Sequence, residues 1–213
     1  MPKVTSVEPQ KKNPKRFNIF LDGEFAFGAD EDLVVNRRLV VGKIIEPEDL
    51  QKILFEAEVG KLMERIYRWF SIRQHSEKEV RDYFRVKGKE EISQLVRDSV
   101  IEVLKKKGLV NDLEFAKAWV EARRKSKQKG IKALKAELFQ KGIDKEIIEE
   151  VVRQQATGSS EEELARQALE KKMKFWKNLE PQVFKKKAFE FLMRKGFEYE
   201  VVREVIEKIM KKE

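Results

Sequence analysis

The dipeptide Lys-Gly stands at Lys87-Gly88, Lys141-Gly142 and Lys195-Gly196, and 54 residues separate each copy from the next. Apolar positions recur in phase with it. Phe84, Leu138 and Leu192 lie four residues before the Gly, and Val80, Leu134 and Ala188 lie eight before it. Past the second and third Gly the correspondence continues: Ile143, Asp144, Ile147, Ile148, Val151 and Val152 match Phe197, Glu198, Val201, Val202, Val205 and Ile206. A fixed period with apolar positions in phase marks units that cannot bury their apolar faces alone and so stack on one another. Such chains usually present surfaces to partners instead of enclosing catalytic clefts.

From Lys61 onward the pattern is helical. Leu62, Ile66, Trp69 and Phe70 fall at i, i+4, i+7 and i+8, a single apolar stripe. Ser76-Glu77-Lys78-Glu79 has the spacing of a capping box, in which Ser and Glu satisfy the amides at a helix start. It opens a helix through Val80, Tyr83 and Phe84 that is expected to stop at Gly88. A further helix over 92–106 carries Leu95, Val96, Val100, Val103 and Leu104, and Gly108 ends it. The second unit repeats the plan. Asn111 or Asp112 caps a helix through Phe115, Ala116, Trp119 and Val120, Gly130 takes the place of Ser76, and Asp144 caps the next helix. Thr157-Gly158-Ser159-Ser160 reads as a linker, and Ser160-Glu161-Glu162-Glu163 as another capping box. Helices over 164–176, 181–195 and 198–210 complete a third unit.

The first 60 residues differ. Arg16-Phe17-Asn18-Ile19-Phe20-Leu21, Asp22-Gly23 and Glu24-Phe25-Ala26-Phe27-Gly28 predict a β-hairpin, because Asp-Gly suits a two-residue turn whose central residues both need positive φ. In that register Phe20 faces Phe25. Val4-Thr5-Ser6-Val7 reads as a third strand and Leu39-Val40-Val41 as a fourth, with a short helix over 30–36. Pro47 suits the first turn of a helix running from Glu48 toward Val59. The expected fold class is mainly α: three tandem three-helix repeats in an elongated array, preceded by a small head containing a β-hairpin. The expected boundaries are 1–60 for the head and 61–108, 109–156 and 157–213 for the repeats.

Composition narrows the function classes. Apolar residues make up 41% and charged ones 40%, enough apolar material for a core. No stretch approaches the ~18 apolar residues of a membrane span, and Met1-Pro2-Lys3-Val4 lacks the apolar core of a signal peptide. A cytoplasmic monomer is the expectation. With no Cys, disulfide and thiolate chemistry are excluded. The one His, His75, sits immediately before the Ser76 cap. No His-x-x-x-His, phosphate-binding Gly-x-x-x-x-Gly-Lys-Ser/Thr or Gly-x-Ser-x-Gly is present. Most carboxylates recur three or four residues from Lys or Arg, the spacing of solvated helix-surface pairs. The chain is expected not to be an enzyme and to need no metal or other cofactor.

The net charge of +9 points toward a polyanionic or acidic partner. Its densest segment holds Arg123, Arg124, Lys125, Lys127, Lys129, Lys132 and Lys135, with Glu121 as the only acid between residues 121 and 135. Seven cations in one helix–loop–helix junction repel one another when no anion is nearby. A nucleic-acid backbone suits them without any base reading. An acidic protein groove suits them equally, and so do acids supplied from elsewhere in the fold. A secondary patch comprises Lys171, Lys172 and Lys174 together with Lys185, Lys186 and Lys187. Trp69, Trp119 and Trp176 lie on apolar stripes, and each reads as core before it reads as a stacking platform.

The stretch Gly108-Leu109-Val110-Asn111-Asp112-x-x-Phe115-Ala116-x-x-Trp119-Val120-x-x-Arg123 resembles the central motif of the RecX family, regulators of the RecA recombinase. Its continuation Lys129-Gly130, then Glu137-Leu138-x-x-Lys141-Gly142-Ile143, is similar to that family's second repeat. Arg73-x-x-Ser76-x-x-Glu79-Val80 resembles the first, and Phe191-Leu192-x-Arg194-Lys195-Gly196-Phe197 the third. The first repeat departs from the pattern with Tyr83-Phe84 where a Leu is usual. The resemblance implies a negative regulator of RecA that binds along the groove of the RecA–single-stranded DNA filament, with weak binding to bare DNA. It implies hindered filament growth, ATP hydrolysis and strand exchange, within homologous recombination, DNA repair and the SOS response. A sequence-nonspecific DNA-binding protein that acts without RecA is the alternative.

Overall fold

The computed structural model describes residues 1–87, 92–156, 161–176 and 178–211. Gly88 and the expected Thr157–Ser160 linker, with its Ser160 cap, lie outside these residues, as does Lys177. The described chain is mainly helical, with ten helices and one three-stranded antiparallel sheet in the order β1-β2-β3. It divides into two compact units, residues 1–74 with 81–109 and residues 75–80 with 110–213. No described helix is long and apolar enough to cross a membrane.

In the first unit, β1 (Val4–Gln10), β2 (Asn13–Leu21) and β3 (Glu24–Asp30) form the sheet. Asp22 and Gly23 both take positive φ, 49° and 89°, as the Asp-Gly turn requires. Phe20 pairs with Phe25, and their rings meet edge-on at 6.0 Å. Asp30 caps α1 (Glu31–Asn36) by accepting the Leu33 amide at 2.8 Å. The expected fourth strand at Leu39-Val40-Val41 does not form. Arg38 at φ 48° and Gly42 at φ 95° turn the chain on either side, Leu39 is buried, and Val40 and Val41 face solvent. Backbone pairing follows as a bridge between Lys3 and Ile44, beside a hydrogen bond from the Gly42 amide to the Val4 carbonyl at 2.8 Å.

A second departure concerns α2, which runs unbroken from Pro47 to Phe70. The sequence suggested separate helices on either side of Gly60. Instead Gly60 continues the helix and lets it approach the head, since a Cβ there would stand 2.6 Å from Asp30 Oδ2. The first half of α2 supplies Ile53 and Ala57 to a core with Val4, Ile19, Phe27 and Leu33. Arg16, itself buried, donates to the Gly28 carbonyl at 3.1 Å and pairs with Glu64 at 3.5 Å, tying β2 to α2. The second half of α2 packs on α4 (Gln94–Lys106), and Trp69 stacks on Tyr83 of α3 (Glu77–Lys87) at 4.7 Å.

The second unit holds α5 (Asp112–Lys127), α6 (Ile131–Gln140), α7 (Lys145–Ala156), α8 (Glu161–Trp176), α9 (Pro181–Lys195) and α10 (Tyr199–Met210). The 54-residue correspondence holds in three dimensions. Leu134 and Ala188 are both buried, as are Leu138 and Leu192, Ile143 and Phe197, Ile148 and Val202, and Val151 and Val205. One cluster unites Phe115, Ala116 and Val120 with α6 and α7; another unites Leu164, Ala165 and Leu169 with α9 and α10.

These two clusters meet at a backbone joint. The Gly130 amide donates to the Lys195 carbonyl at 2.9 Å and the Lys132 amide to the Gly196 carbonyl at 3.0 Å. The contact is close enough that a Cβ on Gly196 would stand 2.3 Å from the Ala133 nitrogen, and one on Gly130 would stand 2.5 Å from Gly196. Gly196 also sits at φ 86°, in the left-handed region that closes α9. The same joint occurs 54 residues earlier with different chemistry. There the Ser76 hydroxyl caps Glu79 and donates to the Lys141 carbonyl at 2.7 Å, and Gly142, at φ 77°, packs against Lys78.

Gly196→Ala is expected to lower the unfolding free energy by more than about 2 kcal/mol, combining left-handed strain with backbone overlap. Gly108 also has positive φ, but no atom lies within 4 Å of its added Cβ, so Gly108→Ala should cost only about 1 kcal/mol. Urea unfolding of the two variants checks this; equal losses would remove the joint as the cause.

Candidate nucleic-acid and partner interface

The predicted basic segment spans the end of α5, the loop after it and α6. Asp112 and Glu114 lie in the first turn of α5 and Arg124, Lys125 and Lys127 in its last, the order the helix dipole favours. Gln128 closes the helix in a left-handed conformation, φ 44° and ψ 57°. Its buried amide fixes that turn. Nε2 donates to the Lys125 carbonyl at 3.0 Å, and Oε1 accepts Lys171 Nζ from α8 at 3.0 Å.

Acids from elsewhere in the fold pair five of the seven predicted cations. Arg123 reaches Glu137 at 3.0 Å and Lys129 reaches the same carboxylate at 2.9 Å. Lys132 pairs with Glu198 at 2.6 Å and Lys135 with Glu149 at 2.7 Å. Arg124 is the exception in kind. It is 6% exposed, and its guanidinium meets Glu161 at 2.6 Å while Glu161 also accepts the Ile131 amide. Arg124 therefore acts as a strut between α5 and α8 and takes no place on the exposed surface. Lys125 and Lys127 are exposed, and neither is within ion-pair distance of a carboxylate among the described residues.

Glu137 organises one side of the segment. Besides its two cations it accepts Trp119 Nε1 at 2.9 Å, and Arg123 lies 4.1 Å above the Trp119 ring centroid. Burial alone would push the Glu137 carboxyl up. The hydrogen bonds from Lys129, Trp119 and Arg123 and the nearby Lys129 charge win, and they hold it below the usual carboxylate range. Trp119 thus spends both its N–H and its face internally, and it stacks on Phe115 at 5.6 Å. Trp69 and Trp176 are half-buried in ring contacts as well. All three tryptophans serve packing.

Lys171, Lys172, Lys174, Lys185, Lys186 and Lys187 are all exposed. Lys171 and Lys172 come together with Lys129 and with Lys195, at the end of α9. Lys172 and Lys195 lie 5.9 Å and 5.4 Å from the Phe191 ring centroid, and Lys195 donates to the Lys127 carbonyl. Burial, followed by the charges of Lys171, Lys129 and Lys172, pushes the Lys195 ammonium down from its ordinary value. Lys195 and Gln128 were not among the predicted contact residues. The repeat carried a signal for Lys195. Its counterpart Lys141 is paired with Glu79 at 2.6 Å, and the residue 54 positions after Glu79 is Ala133. His75, beside that first joint, is buried and hydrogen-bonded to Glu79 at 3.1 Å.

Three family descriptions match the chain: Regulatory protein RecX N-terminal domain over residues 2–46, RecX second three-helix domain over 111–152, and RecX third three-helix domain over 160–206. The regulatory protein RecX of Bacillus subtilis (strain 168) is 37% identical over 212 residues, covering 98% of this chain and 78% of that one. That of Listeria monocytogenes serovar 1/2a is 31% identical, covering 94% and 73%. A crystal structure of regulatory protein RecX superposes with a TM-score of 0.73 at 23% identity, covering 96% of this chain and 98% of the other. A crystal structure of RecX from Lactobacillus salivarius gives 0.61 at 24%, covering 71% and 96%. At those identities the structures bear on fold alone.

Glu137→Gln is expected to lower stability at pH 7 by about 1 kcal/mol, since it removes the charge from half-buried, charge-assisted hydrogen bonds. A carboxyl held low in the folded state stabilises it above the unfolded pKa, about 4.3 for Glu. That contribution disappears as pH falls through the folded value. The gap between parent and variant should therefore be full at neutral pH and close only under acid conditions, below the usual carboxylate range. A gap independent of pH in urea unfolding would contradict the assignment.

Proposed function

The chain belongs to the RecX family of regulatory proteins, and on that basis we propose that it is a negative regulator of RecA. In this reading it binds, as a monomer, in the groove of the RecA–single-stranded DNA filament. There it hinders filament growth and so reduces ATP hydrolysis and strand exchange. It acts by occupying a surface, without catalysis and without a cofactor.

The observation that carries the reading, beyond family membership, is the exposed cationic run from the end of α5 into α6. Lys125 and Lys127 have no carboxylate partner among the described residues, and Lys132 remains 56% exposed in its pair with Glu198. Exposed pairs of that kind are worth only about 0 to 1 kcal/mol, so Lys132 and Lys135 can exchange a carboxylate for a phosphate or an acidic side chain at little cost. Arg123 and Lys129 are held more tightly by Glu137 and lie at the margin of the surface. Several modest contacts along one filament sum by multivalency, which suits a repeat protein better than a single tight pocket.

The triple variant Lys125→Gln, Lys127→Gln, Lys132→Gln tests the assignment. All three side chains are exposed, so the fold should survive the change. In an assay of DNA-dependent ATP hydrolysis by RecA, the variant should inhibit more weakly. Its salt dependence should also flatten, by about 0.7 in log–log slope for each lysine that reaches a single-strand phosphate. Undiminished inhibition by the folded variant would remove this surface from the contact.

A further inference from the structure

We propose that Lys171, Lys172 and Lys195 form a phosphate seat and that Phe175, one helical turn along α8, is a stacking platform beside it, so that the ligand is a single-stranded nucleic acid. The proposal takes from the preceding reading only that single-stranded DNA is within the protein's reach. The site itself is read from the second unit.

Comparable joints at 54-residue spacing place Lys141 and Lys195 in equivalent positions. Lys141 is neutralised by Glu79, whereas Lys195 has Ala133 in the corresponding place and lysines as neighbours. Among the described residues Lys171, Lys172 and Lys195 have no carboxylate within ion-pair distance. A fold that gathers like charges without a counter-ion sacrifices stability, and a bound anion restores it.

The gathering is also fixed in place. Gln128 is 7% exposed, and its side chain both closes α5 and receives Lys171 Nζ at 3.0 Å. The Lys127 carbonyl receives Lys195, and the Phe191 ring lies beneath both Lys172 and Lys195. Phe191 is in turn held edge-on by Trp176 at 5.9 Å. These ammonium groups are tethered at their inner side, so an anion arriving from solvent meets charge that is already oriented.

Phe175 decides which anion. It is 81% exposed, although an aromatic ring on a helix otherwise anchored by Leu164, Ala165, Ala168 and Leu169 would normally turn inward. It follows Lys171 by four residues and Lys172 by three, so the three share one helix face. An acidic peptide would use the ammonium groups and gain little from the ring. A single strand uses both, with phosphates on the cations and an unpaired base on the aromatic face.

Fluorescence anisotropy with a labelled oligothymidylate and the full chain, without RecA and across several salt concentrations, tests this. Lys172→Gln with Lys195→Gln should weaken binding and reduce the salt slope by about 1.4, two single-strand phosphate contacts. The charge-preserving pair Lys172→Arg with Lys195→Arg should keep most of the affinity. Phe175→Ala should cost about tenfold on the single strand, as expected for one stacked base, while leaving the salt slope and duplex affinity unchanged. Lys11→Gln with Lys12→Gln removes the same charge from the head and should have a much smaller effect. Equal losses from the two Gln pairs, or no measurable binding by the parent protein, would overturn the seat. Poly-glutamate competing through the same lysines, with Phe175→Ala indifferent, would replace it with an acidic-protein site. Loss of oligonucleotide binding with RecA inhibition intact would confirm the seat's position and leave the regulatory reading standing on its own.

Discussion

Two backbone hydrogen bonds, Gly130 N–H to the Lys195 carbonyl and Lys132 N–H to the Gly196 carbonyl, underlie the arrangement of the second unit. They require two glycines because each position approaches the opposing backbone more closely than a Cβ permits. The start of α6 is thereby locked to the end of α9, and the separate apolar clusters of the two three-helix groups become neighbours. At the earlier joint a serine hydroxyl replaces one backbone donor, so the geometry recurs with a different hydrogen-bond donor.

The joint also sets the electrostatics of the surface. Because it brings the Lys195 end of α9 to the α5–α6 loop, cations remote in sequence gather around Gln128 and Phe191. Acids gather as well. Glu137 neutralises Arg123 and Lys129, and Glu161 retains Arg124 as an internal strut. What reaches solvent is a surface on which Lys129, Lys132 and Lys135, each paired with a carboxylate, follow Lys125 and Lys127, which have none among the described residues. In the proposed function, electrostatic attraction supplies the association and the glycine joint supplies the spacing.

Much of this was legible in the sequence because it follows from local rules. The Asp22-Gly23 turn, the Phe20–Phe25 pair and the phase of buried positions along the repeats depend on residues close in the chain or on a strict period. Leu39-Val40-Val41 misled because its β-branched residues are exposed, and turns at Arg38 and Gly42 override their preference. Gly60 misled because a glycine inside a helical pattern can signify close approach as readily as a break. At the candidate surface, the sequence located the lysines but not their partners. Glu149, Glu161 and Glu198 lie outside the basic segment, and only the tertiary fold brings them to it. Lys195 was accessible in principle, through the replacement of Glu79 by Ala133 at the repeat spacing.

The proposed activity is regulation of a filament, as distinct from competition for DNA. The most direct measurement is the rate of ATP hydrolysis by RecA preassembled on single-stranded DNA while this protein is titrated in, with its binding to the same bare DNA measured in the same buffer. Hydrolysis is expected to fall at amounts far too small to cover the DNA. A fall that begins only when the DNA is saturated would contradict filament regulation and would identify a DNA-binding protein that displaces RecA by occupancy.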